Sequence, residues 1–144
     1  MGSVYHDLGD ARARLYPCGM HRAEAFLGTW HLVPASCRYE HGAPPRRGTY
    51  VLAADGERIR FAIDWVDADG TPRSATHTLA FGEHEGVGMY LDDARTLTTT
   101  AAGGLVIHAR REVSEDGRTM TIVQMGKTGE GRPFVNKSVY RRVG

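Results

Sequence analysis

The chain has 144 residues, a formal charge of +1, 41% hydrophobic residues and 24% charged ones. That length supports one domain with its own core, and the composition is that of a folded globule, not of a disordered or fibrous chain. A near-neutral charge lacks the basic face that nucleic-acid binding requires, and no apolar run approaches the roughly 18 residues of a membrane helix.

No nucleic-acid or membrane partner is therefore expected. The first residues include Tyr5, His6, Asp7 and Asp10 in place of the apolar region of a secretory signal. The expected location is cytoplasmic, where Cys18 and Cys37 stay reduced unless a bridge ties the N-terminal arm to the end of the first strand.

Residues 1–25 read as an arm distinct from the rest. Leu8, Ala11 and Leu15 recur at helical spacing, Asp7 stands at a cap position and Pro17 ends the run. The segment is either a short helix over one mouth of a barrel or a frayed arm.

A barrel is expected over 26–144. It opens with the apolar run from Phe26 to Val33, in which Trp30 plugs one end. Pro34 to Arg47 contains Pro34, Gly42, Pro44 and Pro45, which predicts an irregular loop of the length that serves as a lid or entrance. Strands are predicted at 48–54, 57–66, 73–82, 86–91, 94–100, 104–113, 118–126 and 134–142. Asp55-Gly56, Asp69-Gly70, Gly103-Gly104 and Asp116-Gly117 supply tight turns between them. The fold class is all-β: a single closed antiparallel up-and-down barrel of about 8–10 strands.

Alternation assigns faces. Ile59, Phe61, Ile63 and Trp65 share the interior side, as do Ala75, His77, Leu79 and Phe81. Val87, Met89 and Leu91 follow, then Leu97 and Thr99, then Leu105, Ile107 and Ala109, then Met120, Ile122 and Gln124. On the last strand Phe134, Asn136, Ser138, Tyr140 and Arg142 point inward, because Lys137 on the other side is hard to bury.

This pattern resembles the calycin superfamily, the lipocalins and their fatty-acid-binding relatives. In those proteins a Gly-x-Trp opens the first strand and an Arg near the end of the last one packs across the indole. Gly28-Thr29-Trp30 and Arg142 (or Arg141) match those two elements. The likeness extends to bacterial lipocalin-like domain proteins through Phe26-Leu-Gly-Thr-Trp30, the loop from Pro34 to Pro45, Asp67-Ala-Asp-Gly70 and the strand from Ser114 to Thr121. The resemblance implies a barrel around a small hydrophobic ligand. It does not carry over carboxylate capture: Tyr140-Arg-Arg142 reverses the Arg-x-Tyr order of the fatty-acid-binding branch, and no helical lid fits between the first two strands.

Tyr50, His77, Gln124, Asn136, Ser138 and Tyr140 are polar groups on inward faces, set among Phe61, Trp65, Met89 and Met120. Together they describe either a cavity for a largely apolar molecule with a few oxygens or a side-chain network with buried waters. His77 is the candidate general acid or base of an alternative reading, a cofactor-independent isomerase, cyclase or hydratase; its structural alternative is a histidine satisfied by a neighbouring carbonyl or hydroxyl. Trp30 and Arg142 are read as barrel closure.

His84, Asp92-Asp93 and Asp67-Ala-Asp-Gly70 lack the spacing of a metal site, and no metal or cofactor is expected. Haem is a minor reading, with His108 assigned to the outside. A third reading makes the barrel a scaffold with Tyr39, Tyr90 and Val139 on its exterior and a homodimer as one form. Ligand binding ranks first.

Overall fold

The computed structural model describes residues 23–103 and 105–143. The expected arm, through residue 22, lies outside the described residues. The described chain is built of β-strands and their connections, with two 3-10 turns at Glu24–Phe26 and Pro34–Ser36. The strands are β1 (Gly28–Leu32), β2 (Arg38–Tyr39), β3 (Arg47–Asp55), β4 (Arg58–Val66), β5 (Pro72–Ala80) and β6 (Gly82–His84). They continue with β7 (Val87–Asp93), β8 (Thr96–Ala101), β9 (Val106–Val113), β10 (Thr119–Lys127) and β11 (Pro133–Val143).

One antiparallel sheet runs β5-β4-β3-β1-β11-β10-β9-β8-β7-β6, with β2 added beside β11. Ten strands thus curl into a nearly closed barrel. The first strand bonds to the last, Trp30 opposite Arg142 and Leu32 opposite Tyr140.

The seam lies where the sequence predicted one continuous strand over 73–82. Phe81 interrupts it, and Gly82 turns the chain at φ 90°. β5 and β6 are consecutive in the chain yet form opposite edges of the sheet. The chain closes the barrel there without a hydrogen-bonded ladder. A turn not singled out in the sequence, Glu85-Gly86, has left-handed φ at both residues (54° and 84°), as a two-residue hairpin requires.

The face assignment for β4 holds: Ile59 and Phe61 are buried, Ile63 and Trp65 half-buried, and Arg58, Arg60 and Asp64 outside or nearly so. On β11 Phe134, Asn136, Ser138 and Tyr140 are buried while Lys137 is exposed.

Val87, expected inside, is 36% exposed on β7, and one longer stretch departs as well. Leu105 and Ile107, expected inside, are 47% and 41% exposed. Met125 faces His108 and Gly126 faces Val106, so Ile107 has no partner opposite it. This β-bulge adds one residue and breaks the alternation. Beyond it Ala109, Arg111 and Val113 return to the interior.

The floor of the barrel is built around Trp30, which is fully buried and donates from Nε1 to the Phe26 carbonyl at 3.0 Å. The Arg142 guanidinium lies 4.2 Å from the indole centroid. It donates to the carbonyls of Leu27 (2.7 Å), Ala25 (2.6 Å) and Gly117 (2.8 Å). Partial burial holds its pKa below the ordinary arginine value. Gly28 is required here: its φ is 130°, and a Cβ would stand 2.6 Å from Arg142 Nη1.

Candidate functional site

Above the floor the interior is not filled. Two lobes occupy it, one of about 430 Å³ beneath the loop that holds Ala43 and Pro45, the other of about 270 Å³ toward β7, β8 and β9. Tyr50, His77 and Arg111 line both, and so stand between them. A third hollow of about 380 Å³ shares only Trp65 with the larger lobe and collects His31, Arg47, Thr49, Asp64 and Arg73.

Of the residues expected at the site, Tyr50, Trp65, His77, Gln124, Ser138 and Tyr140 line the larger lobe, and Phe61 lines the smaller. Met89 and Met120 are fully buried in the core cluster and line neither lobe.

Asn136 has a different task. Its Oδ1 accepts from the backbone N–H groups of Glu40 and His41 (2.9 and 3.1 Å), and its Nδ2 donates to the His41 carbonyl at 2.9 Å. Glu40 Oε1 accepts from Val135 N in return, and the His41 ring lies 5.0 Å from that of Phe134. The proline-bearing loop is thus fastened to β11 at its near end.

Asn136→Ala is expected to cost about 1–3 kcal/mol, because the His41 N–H and carbonyl lose their partner and the Glu40 N–H keeps only the Val135 carbonyl. Cleavage by a nonspecific protease should move to residues 40–46, which limited proteolysis would read.

Tyr39 was expected outside. Instead β2 lays it along β11, half-buried, with its hydroxyl 3.0 Å from Ser138 Oγ, and it lines the larger lobe. Burial is the main cause of the raised pKa of its phenol. Of the other expected exterior residues, Tyr90 is exposed and Val139 half-buried. Cys37 is buried, its Sγ 3.5 Å from the Val33 carbonyl oxygen, while Cys18 lies outside the described residues.

Tyr140 is buried beside Tyr50, ring centroids 5.6 Å apart. Burial first, then Tyr50, pushes its pKa well above the ordinary phenol value. The folded chain therefore resists ionising it, and that contribution to stability is complete below the unfolded pKa of about 10 and is lost as pH rises beyond it. Thermal midpoints should fall more steeply between pH 9 and 11 in the native chain than in Tyr140→Phe, by roughly the titration of one buried phenol. Equal slopes would count against this placement.

His77 lies on the inward face of β5 and lines both lobes, yet it is exposed, because β5 is an open edge at the seam. Among the described residues no hydrogen bond joins it to Tyr50 or Tyr140. His108, assigned to the outside from sequence, lines the smaller lobe, since the bulge beside it resets the alternation. Its Nδ1 is buried without a hydrogen-bond partner among the described residues.

The residue the sequence reading missed is Arg111. It is 9% exposed, donates from Nε and Nη2 to the Tyr50 hydroxyl (3.2 and 3.1 Å) and from Nη1 to Thr99 Oγ1 (2.9 Å). Its guanidinium carbon also stands 5.1 Å from the Phe61 ring centroid. The signal was present, for Arg111 is two residues beyond Ala109 on the same face.

No protein-family model and no curated protein sequence matches the chain. Solved structures do. The zebrafish ileal bile acid-binding protein, complexed with cholic acid, superposes with a TM-score of 0.56 at 14% identity, over 83% of this chain and 99% of that one. The siderocalin Ex-FABP gives 0.50 at 11% identity over 83% and 71% of the two chains. Lobster apocrustacyanin A1 gives 0.51 at 9% identity over 94% and 70%. With the first strand bonded to the last, an indole beneath a guanidinium at the floor and these neighbours in shape, the chain has the calycin barrel fold.

Proposed function

We propose that this barrel binds a small, largely hydrophobic molecule in its two-lobed cavity. The observation that carries the reading is the unfilled interior between the Trp30 floor and the Pro45 loop. A core meant only for packing reaches crystal-like density with few voids larger than a water. Here about 430 Å³ and about 270 Å³ remain, walled by Tyr50, Phe61, Trp65 and Tyr140. Sites for small molecules are commonly of this size and make-up.

Ser138, Gln124 and the tyrosine hydroxyls would take the ligand's few polar atoms, and Asn136 would act through the loop it holds. The cholic acid bound by the zebrafish neighbour supports the same class of ligand. Nothing around His77 favours the acid–base alternative over plain binding.

Titration with Nile red, a neutral apolar dye, tests this directly. One saturable site with a blue-shifted emission is expected, and native mass spectrometry before and after organic extraction should show a mass that leaves with the solvent. A barrel that takes up neither dye nor any extractable molecule overturns the reading.

A further inference from the structure

Arg111 poses a problem that the packing around it does not solve. A guanidinium keeps its charge at any ordinary pH and carries five N–H donors. Tyr50 and Thr99 take three of them, which leaves two without an acceptor among the described residues. Both partners are neutral. No carboxylate bonds to it among those residues either. Asp67, the one acid lining the larger lobe, is committed to Trp65 Nε1 and to an ion pair with Arg73. No acid lines the smaller lobe. A cation largely withdrawn from water without a counter-charge is costly, and an anion at hydrogen-bond distance removes that cost.

The position of Arg111 says where on the ligand that anion would be. Arg111 lines both lobes, as does Tyr50, whose hydroxyl accepts from it. Away from Arg111 each lobe offers an apolar stretch: Ile63, Ile122 and Pro45 in the larger, beside the polar Gln124 and Ser138, and Leu79, Val87 and Ala109 in the smaller. A molecule with its charge at one end would seat that charge on Arg111 and leave a lobe empty. One with its charge in the middle fills both.

We infer that the ligand is an amphiphile with a centrally placed anionic oxygen group seated on Arg111, and an apolar arm in each lobe. The inference rests on the cavity reading above and adds the charge and the shape of the occupant.

Three probes of like size separate charge from shape, each displacing Nile red at pH 7.5. They are 2-butyloctanoic acid, its alcohol 2-butyl-1-octanol, and the unbranched isomer dodecanoic acid. The branched acid is expected to displace the dye at a concentration about tenfold or more below the alcohol, the scale of one charge-assisted hydrogen-bonded pair. It is likewise expected to outcompete dodecanoate.

In Arg111→Met the ratio of acid to alcohol displacement should fall to about one, whatever affinity for Nile red the variant keeps. Equal displacement by acid and alcohol in the native chain, a comparison that needs no variant, overturns the anionic site. Dodecanoate binding as tightly as its branched isomer overturns the central placement. Absence of Nile red binding itself would take the cavity reading down with the inference, and is read separately from the other two.

Discussion

Trp30→Ala is expected to lower the unfolding free energy by about 3–5 kcal/mol, the range for deleting a buried aromatic side chain. The indole is fully buried and touches more than packing partners. Its Nε1 holds the Phe26 carbonyl, and its face receives the Arg142 guanidinium, which in turn holds the carbonyls of Ala25, Leu27 and Gly117. The loss would therefore spread from β1 to the β9–β10 turn.

Arg142→Ala should cost about 2–3 kcal/mol, since it strips donors from three carbonyls. The two effects should not add. A coupling of about 0.5–2 kcal/mol is expected from the double variant, the value of a cation over an aromatic face. Urea midpoints measure all three. A loss under about 1 kcal/mol for Trp30→Ala would show that the floor closes without it.

Gly126→Ala is expected to cost about 3 kcal/mol, the upper end for overpacking. The reason is local and geometric. A Cβ at Gly126 would lie 2.0 Å from the Leu105 carbonyl oxygen and 3.1 Å from the Phe134 ring. The first is backbone, held by the Lys127 N–H at 3.2 Å, and cannot swing aside as a side chain would.

Gly129→Ala is the control. A Cβ there meets nothing within 4 Å, so its effect should stay within about 0.5 kcal/mol. Because the bulge at Gly126 sets how Ile107 and His108 line the smaller lobe, the variant should also weaken Nile red binding. Similar thermal midpoints for the two variants would show that the bulge relaxes freely.

The bulge also marks the limit of what the residues disclosed before the structure. Ile59, Phe61 and Tyr140 declared their faces because alternation along β4 and β11 is unbroken. Trp30 and Arg142 were legible as a pair because Gly28-Thr29-Trp30 and an arginine near the end of the last strand match the calycin pattern, and the register sets them opposite each other. Around Ile107 the same rule failed, since one inserted residue puts the stretch before it out of phase with Ala109, Arg111 and Val113, and no local signal reports it.

The seam was hidden for a similar reason. Phe81 continues the inward pattern of Leu79, and nothing in its side chain says that the ladder stops. His77 then faces inward as expected but is exposed, because burial also depends on which strand comes next. Arg111 was passed over for its chemistry. A charge on an apolar stripe reads as an error of phase, whereas here it stands on the correct phase and forms the junction of the cavity.

The loop fastenings at Asn136 and the clamp at Arg142 stand six residues apart on β11, or about 20 Å along an extended strand. That spacing separates the fold's two obligations. One end of the molecule carries the burden of staying closed, and the other is free to vary its chemistry at little risk to the whole. Changes of selectivity, by engineering or by drift, should therefore accumulate around the mouth while the opposite pole stays fixed.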